Sequence, residues 1–174
     1  MVQVVEIDNF LTETECDDFI NQIKNKQNKI NFTNISDAVT DKYVDDDLTQ
    51  FFYNRYLSKI TEDKTKCITD VIRPNNIIMT SMYRPKTQFG LHTDTGLYYN
   101  SKTKERSKYT VLIYLNDNFE GGHTQFYDNS FRPVYKIKPK TGSCIIFELD
   151  QFHEGLEVIN GHKYWIGLEL IGPM

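Results

Sequence analysis

No run of apolar residues in this chain approaches the ~20 needed to cross a bilayer. The opening Met1-Val2-Gln3-Val4-Val5-Glu6 lacks the charged region and long apolar stretch of a signal peptide. Basic excess is missing too: the net charge is −4, which speaks against a dedicated nucleic-acid binder. Cysteine is scarce. Cys16, Cys67 and Cys144 are odd in number and show no CxxC or other zinc-type spacing. Cys16 and Cys144 stand among apolar neighbours and read as small buried hydrophobes. Together these absences suit a soluble, cytoplasmic protein in a reducing compartment, with no membrane partner. Internal repeats, low-complexity tracts and breaks in composition are also lacking, so one domain over residues 1–174 is expected.

What is present is aromatic and β-prone. Aromatics make up 13% of the 174 residues, almost all Tyr and Phe, which favours a folded, strand-rich protein over a disordered one. A short strand is expected at 2–7. Thr12-Glu13-Thr14-Glu15 matches a capping box, with Leu11 and Cys16 placed as a hydrophobic staple. Cys16, Phe19, Ile20 and Ile23 then recur with helical period, predicting a helix over 12–27. The polar stretch 28–44 has no clear period. A second helix is expected from Asp45-Asp46-Asp47 to Ile60, with Leu48, Phe51, Phe52 and Tyr56 on one face.

From residue 76 the pattern turns to strands, at Asn76–Tyr83, Phe89–Asp94, Tyr109–Asn116, His123–Tyr127, Val134–Lys138, Ser143–Glu148 and Lys163–Ile171. Turn residues punctuate them: Arg84-Pro85, Gly121-Gly122, Pro139 to Gly142 and Asn160-Gly161. The prediction is a mostly β double-stranded β-helix (jelly roll) over 76–174, with a helical flank over 1–75. One long loop, Thr95–Lys108, carries Tyr98-Tyr99 and four basic residues directly after Asp94. It reads as functional or as a solvated basic loop.

Three residues carry the chemical signal. On a strand, positions two apart point to one face, so His92 and Asp94 can offer an imidazole and a carboxylate to one point. His153 would add a second imidazole. Two histidines and one carboxylate are the set that leaves positions open on a non-haem Fe(II), although spacing alone leaves several metals possible. Lys163, on the next expected strand, could hold an anionic co-substrate.

The chain resembles the prolyl 4-hydroxylase-like Fe(II)/2-oxoglutarate-dependent dioxygenases. The resemblance runs through Ile7-Asp8-Asn9-Phe10-Leu11, Met82-Tyr83-Arg84-Pro85 and Phe89-Gly90-Leu91-His92-Thr93-Asp94. It continues through Tyr109 to Asp117, Gly121-Gly122-His123-Thr124-Gln125-Phe126, Pro139 to Gly142, His153 and Lys163-Tyr164-Trp165. It implies that His92, Asp94 and His153 are the Fe(II) ligands, with dioxygen and 2-oxoglutarate as co-substrates. It implies further that Lys163 pairs with the far carboxylate of 2-oxoglutarate, and that Tyr83 and Thr110 hydrogen-bond it. Ascorbate is raised as an accessory reductant. His123 and His162 fall at variable positions and read as exposed turn residues. Trp165 and Tyr164 read as core and edge residues of the closing strand rather than as ligand contacts. Phe89 departs from the tyrosine that prolyl hydroxylases often carry there.

The activity implied is hydroxylation of an aliphatic C–H bond, first of a prolyl side chain in a peptide or protein, with 2-oxoglutarate converted to succinate and CO2. A free amino acid or other small molecule is the alternative substrate. A non-catalytic jelly-roll binding module is the rival from another class. Nucleic-acid demethylation is opposed, because Lys163 to Leu170 lacks the arginines of that branch.

Overall fold

In chain order the elements are β1 (Val4–Ile7), α1 (Glu13–Gln27), β2 (Ala38–Val44), α2 (Asp46–Lys59), β3 (Arg73–Pro74), β4 (Ile77–Tyr83) and β5 (Phe89–His92). There follow β6 (Tyr99–Asn100), β7 (Glu105–Tyr114), β8 (Glu120–Gly121), β9 (Thr124–Tyr127) and β10 (Pro133–Ile137). Last come β11 (Cys144–Glu148), β12 (His153–Gly155), β13 (Val158–Asn160) and β14 (Lys163–Pro173). This computed structural model describes residues 3–27, 38–60, 68 and 70–174. Val2, Cys67 and the polar stretch 28–37 lie outside them. No helix among the described residues is long and apolar enough to cross a membrane.

The helices begin where local chemistry dictates. Thr12 N–H donates to Glu15 Oε2 at 2.8 Å and Glu15 N–H to Thr12 Oγ1 at 3.2 Å, the reciprocal bonds of a capping box. Leu11 and Cys16 are both buried beside it. Asp45 caps α2 by accepting from Leu48 N–H at 2.9 Å. Arg55 of α2 then forks onto Glu15 with two bonds of 2.7 Å and onto the Phe10 carbonyl at 3.1 Å, joining the two helices. Phe51 departs from its expected buried face. It is 37% exposed and lies beside the Arg55 guanidinium, while Phe52 and Tyr56 enter the core.

The main sheet runs β1-β11-β7-β14-β4-β2, with β3 on β14 and β6 on β7. Its two faces are separated by strict alternation. Tyr164, Ile166, Leu168 and Leu170 of β14, with Tyr109, Val111 and Ile113 of β7, join the core that the helices cover. Each buried aliphatic there contributes roughly 1.5–3 kcal/mol. The intervening residues face a second sheet, β10-β9-β12-β5. Phe126 and Phe147 fill one end between the sheets with ring centroids 5.1 Å apart. The other end stays open as a cavity.

Two boundaries differ from the sequence expectation. Ala38–Val44, within the stretch that had no clear period, is a full-length edge strand paired with β4. Besides β1, expected from the sequence at 2–7, strands therefore occur within the expected helical flank at β2 and β3, and the β core does not wait for residue 76. The Thr95–Lys108 loop is shorter than expected. Tyr99 and Asn100 pair with Arg106 and Glu105, so β7 begins four residues before Tyr109 and the segment closes as a hairpin.

Candidate active site

His92 and His153 are register partners on the neighbouring strands β5 and β12, which sets their rings 4.2 Å apart. Asp94 was expected on the same strand as His92, but β5 ends at His92. Asp94 lies on irregular backbone just beyond, anchored by its N–H to the Leu149 carbonyl at 2.9 Å. The three side chains still converge. Asp94 Oδ1 is 3.5 Å from His92 Nε2, and Oδ2 is 3.9 Å from His153 Nε2. One ligand atom from each lies within 4.8 Å of the others, a spacing that can hold a metal ion.

The far ring nitrogens are already engaged. His92 Nδ1 lies 2.7 Å from the Gly90 carbonyl and His153 Nδ1 lies 2.9 Å from that of Gln151. A carbonyl can only accept, so each Nδ1 carries the proton; each Nε2 is turned toward Asp94 and, in the neutral ring, offers its lone pair to a cation. Burial pushes His153 below the usual histidine range despite Asp94 nearby. At His92 burial also pulls down, but the Asp94 hydrogen bond, the Gly90 carbonyl and the Asp94 charge outweigh it. For Asp94, burial alone would raise the carboxyl; the bond from His92, the His153 charge and the Thr110 hydroxyl hold it below the ordinary carboxylate value. The result is an ionised carboxylate between two imidazoles, a donor set suited to a divalent transition metal.

Deeper in the same cavity, of about 540 Å³, lies Lys163. It is 3% exposed, and its ammonium donates to the Gly122 carbonyl at 2.7 Å. Among the described residues no carboxylate pairs with it. Burial pushes its pKa down to about 7. The Tyr114 and Tyr83 rings flank it, at 5.4 and 5.8 Å from the ammonium. Burial raises the Tyr83 hydroxyl to about 12, so it stays protonated as a donor. Gly122 fits this place for two reasons. Its φ is +61°, and a Cβ would lie 2.7 Å from the Phe119 ring and 3.3 Å from the Lys163 stem.

A sequence model of the 2OG-Fe(II) oxygenase superfamily matches residues 78–168, more than half of the chain. The chain belongs to this superfamily. A 67-residue stretch is 39% identical to an Acanthamoeba polyphaga mimivirus protein provisionally assigned as a prolyl 4-hydroxylase. That match takes in 33% of this chain and only 26% of the relative. Among solved structures, the viral collagen prolyl hydroxylase of Paramecium Bursaria Chlorella virus-1, in complex with 2OG, superposes with a TM-score of 0.66 at 24% identity. That alignment covers 98% of this chain and 96% of the other. A Pseudomonas putida prolyl-4-hydroxylase gives 0.66 at 11% identity, over 98% and 92%. A Trichoplax adhaerens prolyl hydroxylase bound to a hypoxia inducible factor peptide fragment gives 0.65 at 19%, over 97% and 83%. At these identities the likeness carries the fold, which is the mostly β jelly roll expected from the strand pattern.

In this superfamily member the residues fit the metal and co-substrate that the superfamily is named for, Fe(II) and 2-oxoglutarate. The His-Asp-His cluster turns its Nε2 atoms inward, and a buried lysine stands in the same cavity with no carboxylate paired to it among the described residues. Tyr83 sits beside Lys163 as its register partner. Thr110 lines the cavity too, and its hydroxyl donates to Asp94 Oδ2 at 2.5 Å. Trp165 differs from expectation. It lines the cavity edge-on to Tyr83, whereas Tyr164 is buried in the core. His162 is exposed as expected, and His123 is half-buried in place of exposed; neither joins the triad.

Sequence reasoning missed three groups. Tyr114, fully buried by Lys163, shares a 2.6 Å bond with Thr124, and Thr124 lines the cavity. Their signal was present in the Gly-Gly-x-Thr segment and the phase of β7. Glu169, 3% exposed, gave none, since one acid in Leu168-Glu169-Leu170 reads as a solvated strand position.

Proposed function

We propose that the chain hydroxylates an aliphatic C–H bond, first that of a prolyl side chain in a peptide, with 2-oxoglutarate converted to succinate and CO2. One observation carries this reading: the metal-type triad shares one cavity with a buried lysine that no carboxylate pairs with among the described residues. When bound, iron and the keto acid supply the oxidising chemistry together with dioxygen. The chain's own residues bind and orient. His92 and His153 would hold the metal through Nε2 and Asp94 through its carboxylate, three protein ligands of the kind that suit Fe(II).

Lys163 attracts the far carboxylate of 2-oxoglutarate as a point charge, with Tyr83 as a second donor. In a water-poor pocket this attraction is worth several times its value in water, which favours a dicarboxylate over a monocarboxylate. Phe89, 53% exposed with its ring 4.1 Å from that of His92, offers an apolar surface beside the metal ligands, suited to an aliphatic target. The peptide held by the Trichoplax neighbour supports a peptide as the substrate class.

Protein, Fe(II), 2-oxoglutarate and proline-rich peptides should yield succinate and a peptide heavier by one oxygen. His153→Ala should abolish both. Oxygen gained only by non-peptide substrates overturns the prolyl reading, and no succinate with any substrate overturns the oxygenase reading.

A further inference from the structure

Asp94 is the one member of the triad that no strand holds. Besides the Asp94 N–H bond to the Leu149 carbonyl, side-chain anchors take the place of the ladder. The Thr110 hydroxyl donates to Asp94 Oδ2 at 2.5 Å. Three residues on, Leu97 N–H donates to Glu169 Oε2 at 2.9 Å. The same oxygen accepts from the Ser107 hydroxyl and from Asn75 Nδ2 at 3.3 Å. Ser107 in turn accepts from Tyr98 N–H at 3.1 Å, so the segment after Asp94 is fastened through two more residues.

Thr110 and Glu169 are not independent. They are direct register partners on β7 and β14, and both project from the cavity face of the sheet. Glu169 is 3% exposed, and among the described residues no cation pairs with it. A buried carboxylate without a counter-ion is expensive, and an apolar side chain would fill the space at less cost. Its place is explained by what it accepts: neutral donors from the segment that carries Asp94, from Ser107 on β7 and from Asn75 between β3 and β4.

We propose that Thr110 and Glu169 form a cross-strand brace that fixes Asp94 for the metal. They are positioning residues of the metal site, and Thr110 serves Asp94 rather than 2-oxoglutarate. The proposal rests on the metal reading given above. Thr110 sets the plane of the carboxylate, and Glu169 sets the backbone that presents it. Outer partners of this kind commonly govern metal affinity by roughly 10–100-fold.

Co(II) titration followed by visible absorbance provides the test, with 2-oxoglutarate binding to the Co(II)-saturated protein measured by calorimetry. Thr110→Val and Glu169→Ala should each weaken Co(II) by roughly 10–100-fold. Thr110→Ser and Glu169→Gln keep an acceptor or donor in place and should restore most of that affinity. The affinity of the saturated protein for 2-oxoglutarate should stay level in Thr110→Val. Weaker 2-oxoglutarate binding with unchanged Co(II) binding would overturn the brace in favour of a co-substrate role. A lower melting temperature with unchanged Co(II) affinity and spectrum in both Thr110→Val and Glu169→Ala would reduce the pair to a structural part, and the proposal would fail. Absence of Co(II) binding in the unaltered protein would sink the metal reading itself, a result separable from either.

Discussion

The two ends of the cavity solve the burial of charge in opposite ways. At the metal end, one carboxylate stands between two imidazoles, and each imidazole has a backbone carbonyl behind it. That end is electrostatically satisfied before anything binds. At the other end, Lys163 is more deeply buried and among the described residues has only the Gly122 carbonyl and two aromatic rings. Its charge is left without a partner. The metal end is thus pre-organised by mutual pairing, whereas the lysine end is held under electrostatic stress that an anion would relieve.

The contrast is tested most severely by removing one group from each end. Asp94→Ala should eliminate saturable Co(II) binding, and Lys163→Met should retain it. Lys163→Met should instead cost 2-oxoglutarate about 2–5 kcal/mol of binding free energy by calorimetry. The same variant should raise the stability of the empty protein by about 1–4 kcal/mol in denaturant melts, because an unpaired buried charge is gone. Loss of stability in Lys163→Met would mean that the lysine end is not stressed.

A smaller effect follows from pH. Lys163 titrates at about 7 in the fold against an ordinary 10.5, so between these values the unfolded chain binds the extra proton. Its contribution to the stability of the empty protein therefore rises with pH through that window and is flat below it. Affinity for 2-oxoglutarate should move the other way, falling by up to roughly tenfold per pH unit above 7, since the dicarboxylate needs the protonated lysine. Comparing the unaltered protein with Lys163→Met isolates this group, and equal slopes in the two would contradict it. The smallest effect is a control outside the cavity. Thr12→Ala should cost about 1 kcal/mol through loss of the α1 cap and leave Co(II) and 2-oxoglutarate affinities alone.

Local rules were readable wherever the partners are close in the chain. The Thr12–Glu15 box needs residues three apart, and the period of β14 needs only its own eleven residues. The identities of His92, Asp94, His153 and Lys163 were legible because several motifs stand in a specific order. β2 was not legible, because Ala-Val-Thr-Asp-Lys-Tyr-Val becomes a strand through pairing with β4 along its whole length. Trp165 and Glu169 share the phase of Lys163, yet that phase does not say which buried face contains a cavity.

The chain alone thus determined both helix starts, the alternation of β14 and the chemical set of a metal-type triad with a lysine beside it, because these depend on composition and near neighbours. Folding settled which group each side chain reaches. Thr110 reaches Asp94 across a separation of 16 residues, Lys163 reaches Gly122 across 41, and Glu169 reaches Leu97 across 72. Such bonds follow from strand register and sheet order, and no local pattern encodes them.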